Sequence, residues 1–119
     1  MQVKVWILAL LAIAGQGLAE PLFRQIDTPA DGPAHQYGGG WEHFVGGGVA
    51  VLDCDGDHLP DLFAAGGANH AVLLRNRSQS AGVVNFEVAT PKALELTGVT
   101  GAYPLDINSD GHQDLVVLR

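Results

Sequence analysis

Cysteine is almost missing from this 119-residue chain: Cys54 stands alone, so no disulfide can close within it. Basic residues are nearly as scarce. Six Lys and Arg, with no basic run and no interleaving of basic and aromatic side chains, exclude nucleic acid as a partner. Only four Phe accompany sixteen Gly, the balance of a turn-rich β protein. After the N-terminal segment no stretch keeps a helical period for an adequate length. The length leaves room for one small domain at most. The formal charge is −7, yet seven of the thirteen Asp and Glu residues fall in two short stretches. Elsewhere acid and base nearly balance, which excludes a general acidic surface aimed at basic partners.

The two acidic stretches are the chief feature. Asp53-Cys54-Asp55-Gly56-Asp57-His58-Leu59-Pro60-Asp61-Leu62 is followed 53 residues later by Asp106-Ile107-Asn108-Ser109-Asp110-Gly111-His112-Gln113-Asp114-Leu115. Both carry oxygen-bearing side chains at positions one, three, five and nine, and apolar runs flank both. Alternate residues of a tight turn aim at one point. Carboxylates gathered there repel each other unless one is protonated or a cation sits among them. A hard cation that accepts six to eight oxygens at flexible geometry suits such a loop, and the chemistry points to Ca2+, one ion per loop. An Asp-rich turn without an ion is the plainer alternative for a single copy; two copies in register argue against it. An EF-hand is excluded, because its twelfth position should be Glu and here is Ala64 or Val117, and because the flanks are strand-like.

Residues 1–19 have the form of a secretory signal peptide: Lys4, an apolar run from Val5 to Ala14, then Gly17 and Ala19 before a cut ahead of Glu20. A membrane anchor would need about 18–20 apolar residues, and Gln16 interrupts sooner. The expectation is an exported chain, extracellular or periplasmic, with no membrane span once cleaved. Next comes a segment, residues 20–43, with one strand-like run at Leu22–Thr28 and a Gly38–Gly40 triplet. Strands are expected at Val49–Leu52, Leu62–Ala65, Ala71–Arg75 and Asn85–Ala89. Residues 92–98 read as a further short strand or an irregular connection. The cycle then restarts with Gly101–Leu105, the second loop and Leu115–Arg119. The Leu22–Thr28 run looks like a partner for the strand at Phe86–Thr90. A 53-residue unit of about four short strands is the sequence sign of a propeller blade, which cannot bury its faces alone. The expected fold class is therefore all-β, a partial β-propeller of about one and a half four-stranded blades after a signal peptide. The first blade spans residues 44–99 and the first half of a second spans residues 100–119, as in an N-terminal piece of a longer protein.

The pattern of apolar strand, Asp-x-Asp/Asn-x-Asp-Gly-x-x-Asp, Leu and apolar strand resembles the FG-GAP and VCBS repeats of integrin-like β-propellers over roughly residues 44–119. Leu73-Leu74-Arg75-Asn76 and Phe86-Glu87-Val88-Ala89-Thr90 fit the downstream features of such repeats. The resemblance implies that each loop joins the first two strands of a blade and holds one calcium ion. It assigns side-chain oxygens of Asp53, Asp55, Asp57 and Asp61 and the carbonyl of Leu59 to the first site. To the second it assigns Asp106, Asn108, Asp110 and Asp114 with the carbonyl of His112. The sequence departs at loop position six, Gly111 in the second copy but His58 in the first, where a positive φ costs a residue with a side chain roughly 1–2 kcal/mol. The implied role is a scaffold for recognition of a protein or carbohydrate ligand. The alternative is that the repeats frame a secreted hydrolase or lyase.

Other motifs carry less. His35, His43, His58, His70 and His112 show no metal-protease spacing, and the serines have no nucleophile-elbow context. His43, beside Trp41 and Glu42, is the best surface candidate, with a rim or interblade packing role as its alternative. Trp41 and Tyr103 could stack on a sugar or fill gaps between blades. Cys54 reads as a small semi-buried hydrophobe pointing away from the metal. Asn76-Arg77-Ser78 matches a glycosylation sequon.

Overall fold

Two β-hairpins separated by 53 residues carry the fold. The computed structural model describes residues 23, 25, 30–31, 34–79 and 82–119. The strands are β1 (Ala30–Asp31), β2 (Val49–Leu52), β3 (Asp61–Ala64), β4 (Val72–Asn76), β5 (Phe86–Val88), β6 (Gly101–Leu105) and β7 (Asp114–Leu118). One sheet runs in the order β1-β5-β4-β3-β2, and β6 and β7 make a second. Short 3-10 turns occupy Trp41–His43 and Lys92–Leu94, so residues 92–98 form an irregular connection. Among the described residues no helix is long and apolar enough to cross a membrane.

The strands expected from apolar runs are present within a residue or two of their expected bounds. One pairing differs. The partner of β5 is Ala30–Asp31, which runs parallel to it with Ala30 facing Phe86. The strand expected at Leu22–Thr28 falls largely outside the described residues, and Phe23 and Gln25 lie in no strand. The segment expected to be a signal peptide, residues 1–19, lies outside the described residues.

The repeat is exact in register. Val49 faces Ala64 across β2 and β3, and Ala102 faces Val117, the same pair 53 residues on. Because side chains alternate across a strand, each hairpin has two apolar faces. In the first hairpin Ala50, Leu52, Phe63 and Ala65 lie on one face, and all four are buried in the core. They are covered by Ala102, Leu115 and Val117 of the second hairpin, together with Val99, and Leu73 of β4 lies beside Phe63 on the same face. Those three covering residues occupy the positions that Val49, Leu62 and Ala64 hold in the first hairpin. The two units therefore stack by unlike faces, the first face of one on the second face of the next.

Small residues make this approach possible. Gly48 donates its N–H to the Thr100 carbonyl at 3.3 Å, and a Cβ on Gly48 would come within 3.1 Å of the Gly101 Cα. Gly67 is the tightest point. Its N–H reaches the Val99 carbonyl at 2.9 Å and its carbonyl accepts from Gly98 N–H at 2.7 Å, while its φ is +62° and any Cβ would collide with the Gly38 carbonyl. Gly98 has a similar φ of +74° with open space around it. Both alanine substitutions carry the left-handed penalty of about 1–2 kcal/mol, but only Gly67→Ala adds a backbone collision. Urea denaturation is expected to show a clearly larger loss for Gly67→Ala than for Gly98→Ala; equal losses would contradict the close approach.

Candidate metal centre

Each acidic loop is first a hydrogen-bonded turn. In the first, Asp53 Oδ2 accepts from His58 N–H at 3.0 Å, Asp55 Oδ1 from Asp57 N–H at 3.3 Å, Asp57 Oδ1 from Leu59 N–H at 2.8 Å, and Asp61 Oδ2 from Cys54 N–H at 2.9 Å. The second repeats all four at the matched positions. There Asp106 accepts from Gly111 at 3.0 Å, Asn108 from Asp110 at 3.1 Å, Asp110 from His112 at 2.8 Å, and Asp114 from Ile107 at 3.1 Å. Side-chain oxygens that accept N–H groups two residues on stabilise turns without regular structure.

Both loops need a positive φ at positions four and six, and the glycine is supplied at opposite places. Gly56 (φ +76°) and His58 (φ +67°) occupy these positions in the first loop, Ser109 (φ +61°) and Gly111 (φ +87°) in the second. The positive φ expected at His58 is present. The matching strain at Ser109 was legible only by aligning the copies at position four.

In the first loop the structure brings ligand oxygens of Asp53, Asp55 and Asp61 within 4.8 Å of one another. Asp57 stands outside this group, exposed and engaged with Leu59 N–H. Asp106, Asp110 and Asp114 form no comparable carboxylate group among the described residues. Asn108 turns its amide nitrogen to Asp110 Oδ2 at 2.8 Å, which holds these two side chains together. The carbonyls of Leu59 and His112 enter none of the loop hydrogen bonds described above.

Asp61 is fully buried. It joins the loop to the sheet, because its other oxygen accepts from Asn76 N–H of β4 at 2.8 Å. Burial would raise its pKa, but hydrogen bonds from the Cys54 thiol and the Asn76 and Cys54 N–H groups, with Arg75 nearby, hold the carboxyl below the usual range. Asn76 closes the same junction: its side-chain nitrogen donates to the Pro60 carbonyl at 3.1 Å and its oxygen accepts from Ser78 N–H at 3.0 Å. That places the sequon nitrogen in a buried, occupied position, which corrects its reading as a glycosylation acceptor. Positive charge already faces the cluster. Asp55 lies 3.3 Å from Arg75 Nε and 3.7 Å from a terminal nitrogen of Arg77, which also pairs with Glu87 at 3.0 Å.

Cys54 corrects its expected place. The residue is exposed, and its thiol lies against Asp61 and Arg75 instead of pointing away from the cluster. The reason is local: its own N–H is bonded to Asp61, so the side chain stays on that side. Partial burial of the thiol and the neighbouring Asp61 carboxylate push its pKa up, against the pull of Arg75. Trp41 and Tyr103 are exposed and fill no gap within the described residues. His43 packs edge-on against Tyr37, with Nδ1 3.4 Å from Glu42. Elsewhere, a cavity of about 590 Å³ opens beside β4 and β5, lined by His35, His70, Thr90 and Glu95 among others.

A group of three carboxylates that accept backbone N–H bonds while keeping free lone pairs fits a hard divalent cation. Three outcomes are expected of the metal-free chain. Asp61→Ala strips two N–H groups of their acceptor and is expected to cost about 2–3 kcal/mol in metal-free urea denaturation, far more than Asp57→Ala. His58→Gly relieves the backbone at φ +67° and is expected to raise stability by about 0.5–1 kcal/mol, the relief less the entropy of glycine. For pH, the folded-state pKa of Asp61 is depressed, as is that of Asp110, through the His112 N–H and then Asn108. Their contribution is therefore complete above an unfolded-state pKa of about 3.9 and disappears as pH falls through the lower folded values. The metal-free urea midpoint should drop below about pH 4, and drop less steeply in Asp61→Asn.

The comparisons follow this geometry. A family model described as an FG-GAP-like repeat matches residues 53–117, more than half of the chain, from the first residue of the first loop, through β3 to β6 and the second loop, and into β7. No curated protein and no solved structure matches the chain. With the match spanning both loops and more than half of the chain, the chain belongs to the FG-GAP-like repeat family.

Proposed function

We propose that this chain is a secreted, calcium-stabilised segment of a β-propeller whose loops present a scaffold for recognition of a protein or carbohydrate ligand, and that it is not itself a catalyst. The observation that carries the metal reading is the convergence of Asp53, Asp55 and Asp61. Asp61 links this group to β4 through Asn76, so an ion held there ties the hairpin turn to the third strand of its sheet. The second loop repeats four hydrogen bonds of the first, which supports a second ion held by Asp106, Asn108, Asp110 and Asp114. Calcium supplies charge compensation and oxygen coordination in this role. The unlike-face stacking of successive units supports the propeller, since each unit offers the next the same kind of surface. Export rests on the form of residues 1–19, and calcium is abundant outside cells.

Calorimetric titration of the folded chain with Ca2+ tests this reading. Uptake of two ions is expected, with a rise in thermal midpoint that EGTA reverses; at a free concentration of 100 Kd one site adds about 2.7 kcal/mol. Asp55→Asn should remove one binding event and leave the other. No heat and no change in midpoint at millimolar calcium would overturn the metal reading. Expression in a secreting host should yield a mature chain beginning at Glu20; retention of residues 1–19 would overturn the export reading.

A further inference from the structure

The carboxylate cluster of the first loop meets positive charge that belongs to the protein itself. Asp55 uses Oδ1 to accept the Asp57 N–H, as its turn requires. Its other oxygen, Oδ2, faces two guanidinium groups, with Arg75 Nε at 3.3 Å and a terminal nitrogen of Arg77 at 3.7 Å. Arg75 Nε is buried and has no hydrogen-bond partner among the described residues, so charge and not a directed bond holds it beside Asp55. The Asp55 side chain is only 21% exposed, and water screens this attraction poorly. Both arginines also have a second carboxylate within reach. Arg77 Nε donates to Glu87 Oε2 at 3.0 Å. Arg75 stands directly opposite Glu87 where β4 pairs with β5, a position that sets side chains about 5 Å apart at Cβ.

We propose that Arg75 and Arg77 set the affinity of the first loop for its cation: they neutralise Asp55 in the metal-free chain and shift to Glu87 when the loop is filled. This role rests on the calcium reading of the loops. A guanidinium and a divalent cation repel each other strongly at the few ångströms that one shared carboxylate allows. Glu87 offers either arginine another charge-assisted partner, so neither is stranded by leaving Asp55. The carboxylates of the loop are compensated in both states, which lets the turn keep its shape before any ion arrives. Occupancy of the loop is also read out on β5, through the side chain of Glu87.

Calorimetric titration of the full chain with Ca2+, its second loop silenced by Asp110→Asn, reads the first loop alone. Adding Arg75→Gln and Arg77→Gln together is expected to tighten uptake roughly tenfold, since like charge beside the ion is removed. Arg75→Lys with Arg77→Lys keeps that charge and should leave uptake close to the parent's. The single Arg77→Gln variant, at a side chain 40% exposed, should shift uptake in the same direction by less and carries the test should the double variant not fold. Glu87→Gln removes the second acceptor. It is expected to weaken uptake in the parent and to change nothing where both arginines are gone, whereas a general field effect would weaken both. The Nε resonances of Arg75 and Arg77 should move as calcium is added and stay fixed in Asp55→Asn. Uptake that is unchanged or weaker without the arginines overturns the proposal, as do resonances that stay fixed while the parent takes up calcium. A loss from Glu87→Gln that persists without the arginines overturns it too. Absence of uptake in parent and variants alike overturns the metal reading and this role with it, a result distinct from uptake that ignores the arginines.

Discussion

Carboxylates that accept backbone N–H groups are the constraint on which this small fold depends. A ten-residue loop rich in Asp, Gly and Asn has little apolar content to hold it, and its backbone donors would otherwise be left to water. Asp53 and Asp106 reach across their turns to position six, while Asp61 and Asp114 reach back to position two. These bonds fix the ends of β2 and β3, and of β6 and β7, in one relative register. The same geometry gathers negative charge: what shapes the turn also makes it a place for a cation. Arg75 and Arg77 answer part of that charge in the first loop.

Around the loops the chain relies on close approach. The cluster between the hairpins is made mostly of Ala, Val and Leu around the fully buried ring of Phe63. Small side chains and the glycines at 48 and 67 let backbones touch, and hydrogen bonds from Gly48 to Thr100 and from Gly67 to Val99 run between what would otherwise be separate sheets. Unlike-face stacking makes the structure directional, and it explains why two hairpins of nearly the same pattern have different exposure. Ala50 is buried against the second hairpin, whereas its counterpart Tyr103 is exposed.

The sequence made the strands and loops legible because two signals coincided: short apolar runs, and a repeat of 53 residues that forces both copies into one register. The Leu-x-x-Asn and Phe-x-x-x-Thr features also gained a physical meaning. Asn76 is buried among Asp61, Pro60 and Ser78, and the Thr90 hydroxyl accepts the Leu73 N–H at 3.0 Å. Less legible were contacts that cross the chain without a local pattern. Ala30–Asp31 is too short to announce itself as a strand, and its partner lies more than fifty residues away. Arg75 and Arg77 both reach Asp55 in the first loop, a pairing with no local sequence pattern. Asp57 shares the spacing of its neighbours and accepts the Leu59 N–H, while the oxygens that lie within 4.8 Å of one another are those of Asp53, Asp55 and Asp61.

If a divalent ion completes these turns, the amides that donate to the acidic side chains should respond to it as a set. Residue-resolved hydrogen exchange with and without calcium measures this most directly, at Cys54, His58 and Asn76 in the first unit and at Ile107 and Gly111 in the second. The account predicts that all five exchange slowly and slow further together when calcium is added. Exchange at the rate of an unstructured peptide in both conditions would contradict it.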